Sequence, residues 1–269
     1  MSNRRASGLK MGGGEDLDSF IITVKTDNAG TSNSDQFTIP HQGAFSYNYD
    51  IETSDGQIIT GANGTSYTIT FPSAGTYDIK IKGIFPTILF IGTTDRRKLI
   101  DIKQWGNISW ITFNASFRDC TNLGIVTSTD TPDLSLVTDF SSTFRGCWFT
   151  NSGSINFNDW DVSNITTVNQ FLLDTDNLDV SFSNWQIENI RNFTNFARDI
   201  GMSTANYDAT LIGWESRLQS IYSGGVGYPS GIYTPNFRGV KYTGGGSAET
   251  ARTSLITNYG WSFTDGGAV

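Results

Sequence analysis

The stretch WDVSNITTVNQFLLDTDNL, residues 160–178, decides how the second half of this chain is read. After Trp160 the apolar residues fall at Ile165, Val168, Phe171 and Leu172, and Thr175 and Leu178 close the unit. The spacing starts again at Trp185, with Ile190, Phe193, Phe196, Ala197 and Ile200. Upstream it recurs from Pro132 (Val137, Phe140, Phe144, Cys147) and from Trp105 (Trp110, Phe113, Phe117, Cys120). The starts at 105, 132, 160 and 185 are 27, 28 and 25 residues apart, a period in the range of stacked repeat architectures.

Within a unit, apolar residues three and four apart predict a short helix, with Ser163 as its N-cap. The alternating segments SINFNDW and LDVSFSNW, ahead of two of the tryptophans, predict strands. One unit is then a strand, a corner carrying Trp and a short returning helix. A single unit cannot bury its apolar face, whereas four stacked units make one hydrophobic column.

Residues 19–91 follow a different rule. SFIITVKT, FSYNYDIE, SYTITF and TYDIKIKG alternate apolar and polar residues and are rich in β-branched side chains, as strands are. DNAGTSNSD, GANGT and PSAG supply turns, because Gly and Asn accept positive φ. Short strands at this spacing predict a small β-sandwich. At the far end, NYDATLIGWESRL and SAETARTSLITNYG predict two helices, the second with Ser247 as N-cap and Gly260 at its end, and WSFTDGG a last strand. Residues 219–239, rich in Gly, Tyr and Pro, form a long segment between those helices, and long loops are often functional. The expected organisation is a flexible arm (1–18), a sandwich (19–94), a repeat region (95–203) and a closing cap (204–269).

Two resemblances attach to these segments. Residues 45–83, with Tyr49-Asp50, Asp55-Gly56 and Gly75-Thr76-Tyr77-Asp78-Ile79, look like a PKD-type, immunoglobulin-like domain that lacks its usual Trp. WDVSNITTVNQFLLDTDNL and PDLSLVTDFSSTFRGC resemble the BspA-like leucine-rich-repeat surface proteins, of the type seen in Bacteroidetes bacteria and their phages. Together they imply an α+β repeat protein: an immunoglobulin-like β-sandwich, then a short leucine-rich-repeat-like α/β solenoid of about four coils, then a C-terminal cap. They imply a structural or adhesive role, with no catalytic residues to carry over.

Composition narrows the function. The net charge of −8, from 18 basic and 26 acidic residues, lacks the electrostatic footprint for nucleic acid. No run of 18 apolar residues is long enough to span a membrane. The opening MSNRRASGLKMGGGEDLDS has no apolar core of an export signal, which argues for assembly inside the producing cell. Arg4, Arg5 and Lys10 make this arm a candidate anchor to a larger assembly. GGG at 12–14 and 244–246 lacks the Lys-Ser/Thr of a phosphate-binding loop, and DNAGTSNSD does not match an EF-hand. His41, the single histidine, reads as a surface loop residue beside Pro40, leaving no material for a Ser-His-Asp triad or a His-rich metal site.

Cys120 and Cys147 hold equivalent places in successive units. Two readings stand: a buried thiol ladder, or a disulfide between coils. Asp159, Asp161, Asp174 and Asp176 sit at turn positions that favour Asp for local hydrogen bonding, although paired carboxylates also serve glycosidases. No cofactor or metal is expected. Trp148, Tyr222, Tyr228 and Tyr233 are the candidate partner contacts, since Trp and Tyr dominate binding hot spots. The expected function is non-enzymatic: a structural or adhesion protein of a bacteriophage virion or phage-tail-like particle of a Bacteroidetes system, oligomeric within it, touching other particle proteins or a host-surface glycan or protein. A bacterial cell-surface adhesin and a carbohydrate-binding or depolymerase protein are the alternatives.

Overall fold

The computed structural model describes residues 16–92, 94–150 and 155–269. The anchoring residues Arg4, Arg5 and Lys10 lie outside them. The described residues are mostly β and turn structure, with two α-helices near the C-terminal end.

Eight strands carry the N-terminal part. They are β1 (Phe20–Lys25), β2 (Gln36–Pro40), β3 (Asn48–Thr53), β4 (Ile58–Ala62), β5 (Ser66–Thr70), β6 (Thr76–Ile84), β7 (Leu99–Gln104) and β8 (Ile125–Val126). Six form one sheet in the order β4-β3-β6-β1-β7-β8, and β2 pairs with β5. All pairs are antiparallel except β7 with β8. Period-2 alternation works as expected: Tyr49, Ile51 and Thr53 of β3 are buried and the residues between them exposed. Phe20, Ile22, Val24, Ile79 and Ile81 are wholly buried beneath Phe37 and Ile69 of the smaller sheet. The sheet does not stop at the expected boundary after residue 94, because β7 and β8 come from the region assigned to the repeats.

Two buried charges, bridged by the Ser32 hydroxyl, tie this layer down. Asp95 accepts hydrogen bonds from Thr31 N (2.8 Å), Ser32 N (3.0 Å), Ser32 Oγ (2.6 Å) and Thr38 N (2.7 Å). Lys98 Nζ donates to the carbonyls of Ser32 (3.1 Å), Asn33 (2.7 Å) and Gln36 (2.9 Å) and to Ser32 Oγ (2.8 Å). Burial pulls the Lys98 ammonium below the usual lysine value against the pull of Asp95, and it would push the Asp95 carboxyl up. The hydrogen bonds from Ser32 and Thr38 and the nearby ammonium outweigh that, and Asp95 lies below the usual range.

His41 is a correction to the sequence reading: it is 9% exposed, not a surface residue. Its ring stacks on Tyr47 at 3.9 Å between centroids. Nδ1 lies 3.0 Å from the Gly64 carbonyl, which can only accept, so Nδ1 carries the proton and Nε2 accepts from the Tyr49 hydroxyl at 2.7 Å. Proximity to Pro40 suggested a loop, but the aromatic residues Tyr47 and Tyr49 eight positions or fewer downstream provide a buried seat.

From residue 105 onward the structure departs further from expectation. Among the described residues no α-helix or strand occupies the repeated units after β8; the regular pieces are single 3-10 turns at Phe157–Asp159 and Ile187–Asn189. The described residues of SINFNDW (155–160) and LDVSFSNW (178–185) form no strand, and Trp160 N and Trp185 N bond back to the Phe157 and Phe182 carbonyls at 3.1 and 3.2 Å. Ser163 caps no helix; its N–H donates to Asp161 Oδ1 at 3.0 Å.

The helices fail for a stated reason. Ala115, Ser142, Gln170 and Asn195 all have φ between +52° and +58°. Four residues on, Asp119, Gly146, Asp174 and Asp199 repeat the positive φ. Left-handed residues every four positions cut a helix into successive turns while preserving its spacing of three and four.

The backbone then alternates its partners. The N–H groups of residues 116, 118 and 120 donate back three residues, at 3.1–3.3 Å. Those of 115, 117 and 119 instead reach the carbonyls of 141, 143 and 145 in the following segment, at 2.7–2.9 Å. The pattern repeats from 140, 142, 144 and 146 to 167, 169, 171 and 173, and from 168, 170, 172 and 174 to 192, 194, 196 and 198. Buried hydroxyl and thiol groups add rungs: Thr143 Oγ1 donates to the Phe113 carbonyl (3.0 Å), Thr175 Oγ1 to Phe144 (2.8 Å) and Cys147 Sγ to Phe117 (3.1 Å). Cys120 and Cys147 are free and fully buried, so the thiol ladder is the arrangement found. Burial pushes both thiols up, away from the reactive thiolate.

Between these segments run stacked rings. Phe113, Phe140, Phe171 and Phe196 follow one another at 5.8, 5.2 and 5.9 Å with interplanar angles below 20°. Pro132 leaves a place where other units put Trp, and Trp105 and Trp160 meet across it edge-to-face at 5.4 Å.

The C-terminal part closes the column. Helix α1 (Thr204–Tyr222) is capped by Ser203, and α2 (Ser247–Tyr259) ends at Gly260 in the left-handed conformation, as expected. Its N-cap is Gly246, one residue before the expected Ser247. WSFTDGG contributes a single parallel bridge, Asn236 to Thr264, rather than a strand, and Ala268 just beyond it bridges to Tyr242.

Candidate functional site

The four aromatic contact candidates divide into two groups. Tyr222, Tyr228 and Tyr233 come together in the cap, with ring centroids 5.3 Å apart for 222–228 and 4.9 Å for 228–233. Tyr259 joins them at 5.3 Å, and Tyr233 stacks on Trp261 at 5.5 Å. Three of the polar ends find partners: Trp261 Nε1 donates to the Tyr228 hydroxyl at 3.2 Å, and the Tyr233 hydroxyl donates to the Pro229 carbonyl at 2.8 Å. Burial pushes the Tyr228 hydroxyl well above the usual tyrosine value. Tyr233 is 5% exposed, and Tyr222 and Tyr228 are half-buried, so this cluster packs mainly inward.

Sequence reasoning missed what lies beneath that cluster. Trp185 Nε1 donates to the Phe157 carbonyl (2.7 Å), and Trp214 Nε1, from α1, repeats the bond one layer on to Phe182 (2.8 Å). Trp214 thus supplies the next indole of the series, 29 residues after Trp185, and that spacing was the available signal.

Trp148 stands apart. Six of the seven tryptophans are at most 3% exposed, and Trp148 is 55% exposed. The buried neighbours Cys147 and Phe149 hold its backbone. Phe149 N donates to the Asp176 carbonyl at 3.3 Å and Thr150 N to the Gly124 carbonyl at 2.7 Å. A parallel bridge places Trp148 in register with Asp176 of the next segment, and the equivalent place after that is Gly201. A β-carbon on Gly201 would lie 3.3 Å from Asn177 Cα, so backbone forms the floor there.

Beside this edge opens a shallow cleft of about 510 Å³. Asp176, Asn177, Asp199 and Arg238 supply its polar groups, and Ile200 and Met202 its apolar floor. Arg238 Nε donates to Asp199 Oδ1 at 2.7 Å, so the guanidinium charge is compensated. The other carboxylates noted in the sequence are engaged locally: Asp161 with the Ser163 amide, Asp174 with Arg198 (2.8 Å) and Asp159 with Asn156. Among the described residues no three His, Cys, Asp or Glu side chains converge in a metal-holding group. No helix among them is long and apolar enough to cross a membrane.

With this geometry in hand, the comparisons give one result. Residues 91–215 match the model of a family described as Mycoplasma protein of unknown function, DUF285. No curated protein and no solved structure matches the chain. The resemblances drawn from the sequence are therefore corrected. The match found is to this family and leaves residues 19–90 outside it, so it lends nothing to a PKD-type assignment. The BspA-like leucine-rich-repeat assignment fails as well: the chain is mostly β with few helices, the expected unit helices are absent, and the buried rows are built from Phe and Trp.

Proposed function

We propose that this chain is a non-enzymatic contact protein, structural or adhesive, working at the surface of a virion, a phage-tail-like particle or a cell. In this reading the segments starting at 105, 132, 160 and 185 act as stacked repeat coils, a stiff spacer between the N-terminal sheets and the cap. One observation carries the reading: the stack spends its aromatic residues on a continuous interior and exposes a single indole, Trp148, on a pinned edge. A large exposed aromatic side chain on rigid backbone loses little entropy on binding and is the residue type that dominates hot spots.

The test is contact itself. Labelled full-length chain should sediment with intact cells of a susceptible bacterium, and antibodies against it should decorate particles or cell surfaces in electron micrographs. Trp148→Ala should weaken sedimentation while leaving the melting temperature unchanged. A chain that binds no cell, decorates no surface and turns over a small-molecule substrate would overturn the proposal.

A further inference from the structure

Resting on that reading, we propose that the Trp148 edge and its adjoining cleft form a binding site for a neutral saccharide. A sugar ring has an apolar face of C–H groups and a rim of hydroxyls that both donate and accept. The face of an indole carries negative charge density and attracts such weakly positive C–H groups. Trp148 is more than half exposed, and Asp176, in register with it one segment away, is exposed beside it. Adjacent hydrogen-bonded segments lie about 4.8 Å apart. The cleft that Asp176 shares with this edge adds an amide (Asn177) and a guanidinium (Arg238) to the indole and the carboxylate. The carboxylate accepts from hydroxyls, the guanidinium donates to them, and the amide does both.

The charges select among ligands. Arg238 is already held by Asp199, at 2.6 Å to Nη2, and Asp176 adds negative charge. A sialic or uronic acid carboxylate would meet this edge without a compensating cation, in a chain of net charge −8. A protein hot spot, in turn, is ringed by side chains that exclude water. Here the indole's neighbours Thr150, Asp176 and Asn177 are exposed and polar, which suits a hydroxyl-rich ligand.

The experiment is an array of neutral hexose and N-acetylhexosamine oligosaccharides beside sialylated and uronate-bearing ones, probed with the full chain. Neutral oligosaccharides should be bound, with binding weakened at least tenfold by Trp148→Ala and severalfold by Asp176→Ala, and unchanged by Leu136→Ala. Leu136 is 57% exposed, outside the cleft, so this variant controls for loss of exposed apolar surface. Circular dichroism and the melting temperature verify that each variant is folded, and Asp176→Ala serves if Trp148→Ala is not. An array with nothing bound, a preference for charged glycans, or binding untouched by both cleft variants overturns the inference. Binding to bacterial cells with and without periodate oxidation separates the two levels. Trp148-dependent binding that survives oxidation sinks the saccharide and leaves the contact function standing, whereas no binding to either sample sinks both.

Discussion

The sheets at the N-terminus and the stacked segments after residue 105 bury their interiors by opposite means. In the sheets, every second side chain of a strand such as β3 points inward, and backbone pairing is long and antiparallel. In the stack, alternate amides of one segment serve the turn and the next segment in line. The sheet core mixes β-branched residues with aromatic ones such as Phe20, Phe37 and Tyr49 and is fastened by the buried Asp95 and Lys98, whereas the stack lines up its phenylalanine rings face to face from one segment to the next. The difference teaches that regular burial does not need regular secondary structure. It needs every polar backbone group to find a partner, and positive φ every fourth residue achieves that without helix or long strand.

The largest expected effects probe each interior in its own terms. Phe171→Ala removes a ring that touches Phe140, Phe144, Phe157, Trp185 and Phe196, and should cost about 3–5 kcal/mol in denaturant-unfolding experiments. Lys98→Met should cost a similar ~3–5 kcal/mol for a different reason, leaving the Ser32, Asn33 and Gln36 carbonyls without their donor and the buried Asp95 without the nearby positive charge. Adding Asp95→Asn to that variant should recover part of the loss, and a double variant no better than the single one would show that charge is not the cause. If the interiors are one cooperative unit, both substitutions lower a single transition. Two separate transitions would break the comparison into independent domains.

A smaller effect tests the left-handed positions. Ser142→Val places a β-branched residue at φ +58° and should cost about 1–3 kcal/mol, although Ser142 is only half-buried. The same change at Thr167, outside this set, should cost less. The smallest effect belongs to His41, which burial holds below its ordinary value. The folded chain therefore binds fewer protons at this site than the unfolded chain below about pH 6.5. Stability should be full above that pH and fall as the pH drops towards the folded value, read as a decline in denaturation midpoint between about pH 7 and 5. A flat profile there would show that the ring titrates freely.

Much of the N-terminal β structure was legible because period-2 burial is written in the residues themselves, as in Asn48–Thr53 and Phe20–Lys25. Strands β7 and β8 were not, since their partners lie across the chain and β8 is two residues long. The burial of the spaced aromatic residues was legible for the same reason as the strands: Trp105, Trp160 and Trp185, with Phe113, Phe140 and Phe196, are all buried. The content of a unit was not. Spacings of three and four describe a helix and a chain of turns equally, and Ala115 and Gln170 carry no hint that they adopt positive φ. Of the contact residues, nothing in composition separates Trp148 from the six buried indoles. Its place was marked only by alignment with Thr121, Asp176 and Gly201, positions where the other units put polar or small residues.

The alternation of amides also sets two clocks within a single stretch of chain. The N–H groups of residues 116, 118 and 120 are released to deuterium whenever one turn opens. Those of 115, 117 and 119 are released only when one segment parts from the next, an event that disturbs the ring stack as well. Slow and fast exchange should therefore interleave residue by residue, odd against even, and the phase of that interleaving should invert on crossing to residues 142–147.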